Sequence, residues 1–218
     1  MQKKLKNLVL SNLFIKATNT QRIAYVGLMT AFSIVSNMFF EIKLYDIQFS
    51  LTITVSCLIG ILIGSLFGAV SCFLGDLIGY LINSWGQIYM PWVGLSSALF
   101  ALISGLIFNG FKNKNKATVY IKLGIIILLT FFICTVGINS TGFYFYNKGM
   151  GFSEAVINYV NNRFGSSVGY FGYVAYRLFF KGQIYNSLAN YFLLFIIVPL
   201  IVNNKKLRGK KDECDVES

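Results

Sequence analysis

Between Lys43 and Lys112 this 218-residue chain carries no Lys or Arg. A bilayer-crossing helix needs roughly 20 mostly apolar residues, and the gap holds several such lengths. Hydrophobic residues make up 56% of the chain and charged residues 12%. The sequence therefore specifies a polytopic, all-α membrane protein, not a soluble domain built around a water-excluding core.

Weakly charged segments define six expected transmembrane helices within residues 23–204. Ile23 to Phe40 is the first. Leu51 to Asn83 contains a single charge, Asp76, and is too long for one crossing but suits two short ones. The glycines of GILIGSLFG, residues 60–68, mark the expected break, because glycine turns tightly without a Cβ penalty. Trp92 to Phe111, Leu123 to Asn139 and Leu178 to Val202 complete the set.

Cations orient these spans. Lys3, Lys4, Lys6, Lys16 and Arg22 precede the first span, and Lys112, Lys114, Lys116 and Lys122 follow the fourth. Lys205, Lys206, Arg208, Lys210 and Lys211 follow the sixth. The positive-inside rule places all three groups on the cytoplasmic side, with both termini inside. Residues 1–22 are expected to be a retained basic segment on the cytoplasmic membrane surface, since no small-residue cleavage site follows the interrupted apolar patch Leu8 to Ile15. Residues 205–218 read as a charged cytoplasmic tail. The net charge of +11 is thus largely topological and does not indicate a nucleic-acid partner.

Missing residues exclude functions. The chain has no His, which removes His-dependent proteolysis, most zinc sites, haem ligation and imidazole proton relays. Cys57, Cys72 and Cys134 fall inside spans and Cys214 in the tail, without C-x-x-C spacing, so no disulfide framework or metal site is expected. No G-x-x-x-x-G-K-[ST] loop is present, so ATP would be hydrolysed by other subunits if at all. One carboxylate in the membrane, Asp76 in GDLIG, is too few for paired-acid catalysis. Charge at that depth is costly, so Asp76 is either a functional residue or a hydrogen-bonding tie between helices.

The last span opens with RLFFKGQIYNSLANY, residues 177–191. On a regular α-helix Arg177 and Lys181 share one face about 6 Å apart, at about 1.5 Å per residue. Two stacked cations would attract a carboxylate-bearing solute from outside, or snorkel to headgroups. The amides Gln183, Asn186 and Asn190 fall on the opposite side and suit interhelical hydrogen bonding. Aromatic residues gather on the same outer side. SWGQIYMPW, residues 84–92, carries Trp85, Tyr89 and Trp92, and the 140–176 segment adds Phe143, Tyr144, Tyr146, Tyr170, Phe171, Tyr173 and Tyr176. These form an interfacial belt or a lid that stacks on a flat ring. SEAVINYVNNRF, from Ser153, has a capping Ser and an apolar face, and predicts a short extracellular amphipathic helix between spans five and six.

Together these features resemble the substrate-binding S components of energy-coupling-factor (ECF) vitamin transporters, over residues 20–205. The resemblance rests on six short spans, the small-residue first helix RIAYVGLMTAFSIV (residues 22–35), the glycine turn between spans two and three, GD-x-x-G in the third and a Pro-aromatic loop before the fourth. The folate-type branch looks most similar, through Asn139-Ser140-Thr141 and the Arg177 to Lys181 pair.

The resemblance implies a non-enzymatic subunit that binds a vitamin from outside the cell membrane. It then topples on docking to a transmembrane coupling subunit driven by two ATPases, and it binds no cofactor of its own. Ala24, Gly27 and Ala31 would form the docking face, where small residues permit close helix approach. For a folate-like ligand, Arg177 and Lys181 would meet the glutamate carboxylates and Trp85, Tyr89 or Trp92 would stack on the pterin. Asn139 or Asp76 would satisfy ring nitrogens.

The alternative ligands are riboflavin, a pyridine or pyrimidine vitamin, or a modified-base precursor, for which an uncharged ligand would leave Arg177 and Lys181 dispensable. A stand-alone secondary transporter would be expected to show an inverted repeat, and spans one to three do not resemble spans four to six. A membrane enzyme acting on lipid would want paired acids or a metal motif, and the chain has neither.

Overall fold

The computed structural model describes residues 9–39, 41–44, 47–82, 88–111, 116–165 and 167–203. Trp85, Lys112, Lys114, residues 1–8 and the 205–218 tail lie outside the described residues. The architecture is helical: α1 (Asn12–Lys16), α2 (Asn19–Phe39), α3 (Thr52–Ile63), α4 (Ser65–Ile82) and α5 (Pro91–Gly110) precede one long helix. That helix runs from Lys116 to Met150 as α6 (Lys116–Thr130), a π-helical segment π1 (Phe131–Ser140) and α7 (Thr141–Met150). Then come α8 (Glu154–Phe164), α9 (Tyr170–Ala175), a second π-helical segment π2 (Tyr176–Phe180) and α10 (Gln183–Asn203).

Among the described residues, four helices are long and apolar enough to cross a membrane: Ser65–Ile82, Pro91–Gly110, Lys116–Met150 and Gln183–Val202. Thr52–Ile63 is apolar but only 12 residues long, and α2 is 21 residues with a polar start. Large apolar side chains such as Leu128, Phe132, Phe192 and Leu200 stand exposed at 61–68%, as lipid-facing residues do.

Glycine geometry builds the centre. α3 ends at Gly64, whose φ of 107° is open to glycine alone, and α4 begins at the next residue. Without a Cβ at Gly60, α5 comes so close that a methyl there would collide with the Ala101 carbonyl oxygen. α5 packs on both α3 and α4, α2 packs on α4, and α6 and α10 close the far side against α5 and α3. Leu123, Ile126 and Leu194, all fully buried, join Cys57 and Phe100 in the resulting core.

Several expectations are corrected. The expected fifth span, Leu123 to Asn139, lies within a 35-residue helix, since nothing between Lys116 and Met150 breaks it. The sixth helix starts at Gln183, because Gly182 at φ 68° interrupts the chain. Between the first two expected spans lies a hairpin not expected from the sequence, β1 (Glu41–Leu44) paired antiparallel with β2 (Ile47–Ser50), Glu41 opposite Ser50 and Leu44 opposite Ile47.

The basic N-terminal segment is partly built into the protein. Phe14 is 2% exposed among Val55, Ile59 and Ile63, and Ser65 Oγ donates to the Val9 carbonyl at 3.2 Å. Arg22 donates to the Phe14 and Ile15 carbonyls, each at 3.0 Å, and so caps α1. The short helix from Ser153 is present as α8, with Val156 and Val160 packed on Tyr173 and Tyr176. Ser153 occupies the N-cap position but makes no side-chain cap bond.

Candidate functional site

Among the described residues, buried polar atoms without hydrogen-bond partners fall on α2 (Ser36 Oγ and Asn37 Nδ2), on α4 (Ser71 Oγ) and at six further positions, three of them on π-helical segments. Thr135 Oγ1 and Asn139 Oδ1 lie on π1, Arg177 Nε on π2, Trp92 Nε1 at the start of α5, the Tyr89 hydroxyl just before it, and Gln183 Oε1 at the start of α10. Buried polar groups are nearly always paired, so each of these atoms is a candidate for contact with a ligand. π-Helical turns are frequent at functional sites, and here two of them carry candidate side chains. Ser140 Oγ donates to the Thr135 carbonyl at 2.9 Å, a five-residue reach that fits the widened turn.

Arg177, Phe143 and Trp92 form one row. The Arg177 guanidinium carbon stands 3.8 Å over the Phe143 ring centroid, and the Trp92 ring meets Phe143 edge-on at 5.6 Å. Trp92 fits because α7 offers Gly142 there, where a Cβ would enter the indole. Arg177 is 8% exposed and is flanked by Tyr173, whose hydroxyl accepts from Asn147 Nδ2 at 2.8 Å, and by Tyr176. Among the described residues no carboxylate pairs with Arg177. A guanidinium buried without a counter-charge is expensive, and aromatic faces offset only part of that cost.

Residues 176–180 wind as a π-helix and the chain turns at Lys181 and Gly182, so Arg177 and Lys181 do not sit on one regular α-helix. Arg177 is buried rather than snorkelling, and Lys181 is half-buried.

Asn186 and Asn190 are the interhelical ties their spacing indicated. Asn190 Oδ1 accepts from Thr54 N at 3.0 Å and Thr54 Oγ1 at 2.7 Å, its Nδ2 donates to the Ser50 carbonyl at 2.6 Å, and Asn186 Oδ1 accepts from Ser50 N at 3.0 Å.

Asp76 and Tyr89 meet on the other side of α5. Their oxygens, Oδ2 and the phenol, each reach 2.8 Å from where a Cβ on Gly94 would stand. Burial, and then the Asp76 carboxylate beside it, push the Tyr89 phenol up to about 12, so it remains a proton donor near neutral pH. Its ring packs on Tyr80 at 5.0 Å. Ala24, Gly27 and Ala31 are exposed on α2, and a Cβ on Gly27 would meet nothing within 4 Å. Sequence reasoning missed Thr135 and Gln183 as candidates, because neither residue type signals burial without a partner.

A family model described as "ECF-type riboflavin transporter, S component" matches residues 17–177. The chain belongs to that family. This S component is therefore a vitamin-binding membrane subunit of a transporter that works with ECF partners, and is not an enzyme. The structure also resembles the crystal structure of FolT bound with folic acid, with a TM-score of 0.50 and 19% identity, over 82% of this chain and 95% of that one. At that identity the likeness shows the fold. No curated protein matches the S component.

Proposed function

We propose that this S component captures a flat-ringed vitamin bearing a carboxylate, of the folate kind, for import across the cell membrane by a coupling subunit and two ATPases. The observation that carries the reading is Arg177: buried, laid on Phe143 at 3.8 Å, with Nε unpaired and no carboxylate partner among the described residues. A ligand carboxylate supplies the missing charge through charge-assisted hydrogen bonds. Trp92 beside Phe143 offers a surface for the ring, and Asn139 and Thr135 offer polar partners for its edge. Lys181, half-buried four residues on, adds positive potential. In this reading six helices span the bilayer with both termini cytoplasmic, and the exposed Ala24, Gly27 and Ala31 face docks the coupling subunit.

Riboflavin is the second reading. The orphan atoms of Trp92, Thr135, Asn139 and Gln183 are all uncharged, and suit the neutral donors and acceptors of a flavin as well. Titration of the detergent-purified protein with folate and with riboflavin, followed by tryptophan fluorescence, separates the two. Folate should bind saturably and Arg177→Ala should weaken it by about 10- to 100-fold, the worth of a charged hydrogen bond. Tight riboflavin binding that ignores Arg177→Ala, with folate silent, would replace folate by riboflavin.

A further inference from the structure

The Asp76 carboxylate does not lie in the row of Arg177, Phe143 and Trp92, yet it is the sole acid in the four long apolar helices. It sits on α4 with Tyr80 one turn later on the same face. Tyr89, from the segment entering α5, folds back against both. Its ring lies 5.0 Å from Tyr80, and its hydroxyl, buried and without a well-aligned hydrogen-bond partner, has the Asp76 carboxylate as polar neighbour.

Both oxygens crowd onto Gly94 in the first turn of α5, closely enough that a Cβ there would stand 2.8 Å from each. Met90 at the N-cap makes no side-chain cap bond, and Pro91, which opens the helix, has no N–H to offer. Trp92 is the next residue, with its indole against Gly142 and Phe143 and its Nε1 unpaired.

We propose that Asp76 is a positioning residue: by engaging Tyr89 against Gly94 it sets how α5 enters the bundle, and thereby where the Trp92 indole stands beside Phe143. Its relevance to transport rests on the row around Arg177 being the vitamin site. The contact itself does not depend on which vitamin binds. Asp76 acts through Tyr89 and touches no ligand. The small residue at 94 is part of the device, because a Cβ there would stand 2.8 Å from both oxygens and displace them.

The test uses the full-length protein with Trp85→Phe, which leaves Trp92 as the single tryptophan. Asp76→Asn, Tyr89→Phe, their double variant and Gly94→Ala are each compared with this parent. The readouts are Trp92 emission and acrylamide quenching without ligand, and equilibrium binding of folate and of riboflavin. Each single variant should shift Trp92 emission and raise its quenching. The double variant should go no further than the stronger single one. Whichever vitamin binds the parent should bind each variant about tenfold more weakly, the loss of one charge-assisted contact.

Unchanged Trp92 emission and quenching in Asp76→Asn and Tyr89→Phe overturns the proposal, whatever binding does. Additive effects in the double variant overturn it as well, since they would place Asp76 and Tyr89 in separate roles. Gly94→Ala removes no polar group, so the same shift there supports positioning over direct ligand contact. Failure of the protein with Trp85 in place to bind either vitamin would count against the vitamin reading alone, and the emission arm would still decide the role of Asp76.

Discussion

At the scale of single residues, the same chemistry does opposite things according to whether its atoms are paired. Asn190 and Asn139 are both amides in apolar helices, but Asn190 is 1% exposed with every polar atom engaged, whereas Asn139 keeps a buried oxygen free. Asn190 is therefore structural. Interhelical hydrogen bonds in membranes average only about 0.6 kcal/mol, but removing this side chain would strand the Thr54 N–H and the Ser50 carbonyl. Asn190→Ala should lower unfolding stability in detergent by about 1–3 kcal/mol. Asn158→Ala on exposed α8 should stay within about 0.5 kcal/mol. Equal losses in the two would refute a structural role for Asn190. The amide spacing was legible in the sequence; which amides are satisfied was not, because Ser50 and Thr54 lie far away along the chain.

At the scale of elements, helix contacts are set by where a Cβ is missing. Gly60 faces the Ala101 backbone, which cannot swing aside as a side chain can. Gly124, on α6, has nothing within 4 Å of its would-be Cβ. Gly60→Ala should therefore force α3 and α5 apart and lower yield and thermal stability in detergent. Gly124→Ala should be tolerated, or stabilise by up to about 1 kcal/mol through helix propensity. The reverse ranking in a thermal-shift assay would contradict this packing. The glycine run was readable as a break, and the break falls at Gly64 within it. The π-helical segments were not readable. A widened turn is a compromise between packing surfaces, and the residue types of FFICTVGINS suit an ordinary α-helix equally well.

At the scale of the whole molecule, the exposed face of α2 and the row around Arg177 lie on different helices, so binding and assembly should be separable. In the transporter reading, Gly27→Leu should leave vitamin affinity unchanged and abolish co-purification with the coupling subunit. Retained assembly would move the docking surface elsewhere. The sequence by itself determined the solvent, the helical class and the family resemblance, because the length of an apolar run and the placing of cations are local properties of the chain. It also singled out Arg177, Asp76, Trp92 and Asn139, since polar residues in apolar helices are conspicuous by type. Only the tertiary structure decided that Arg177 lies buried on Phe143, that Asp76 turns toward Tyr89 and Gly94, and that Phe14 and Arg22 tie the basic N-terminal segment to the bundle. Burial and pairing arise from contacts between helices distant in sequence, and the pattern along any one helix does not contain them.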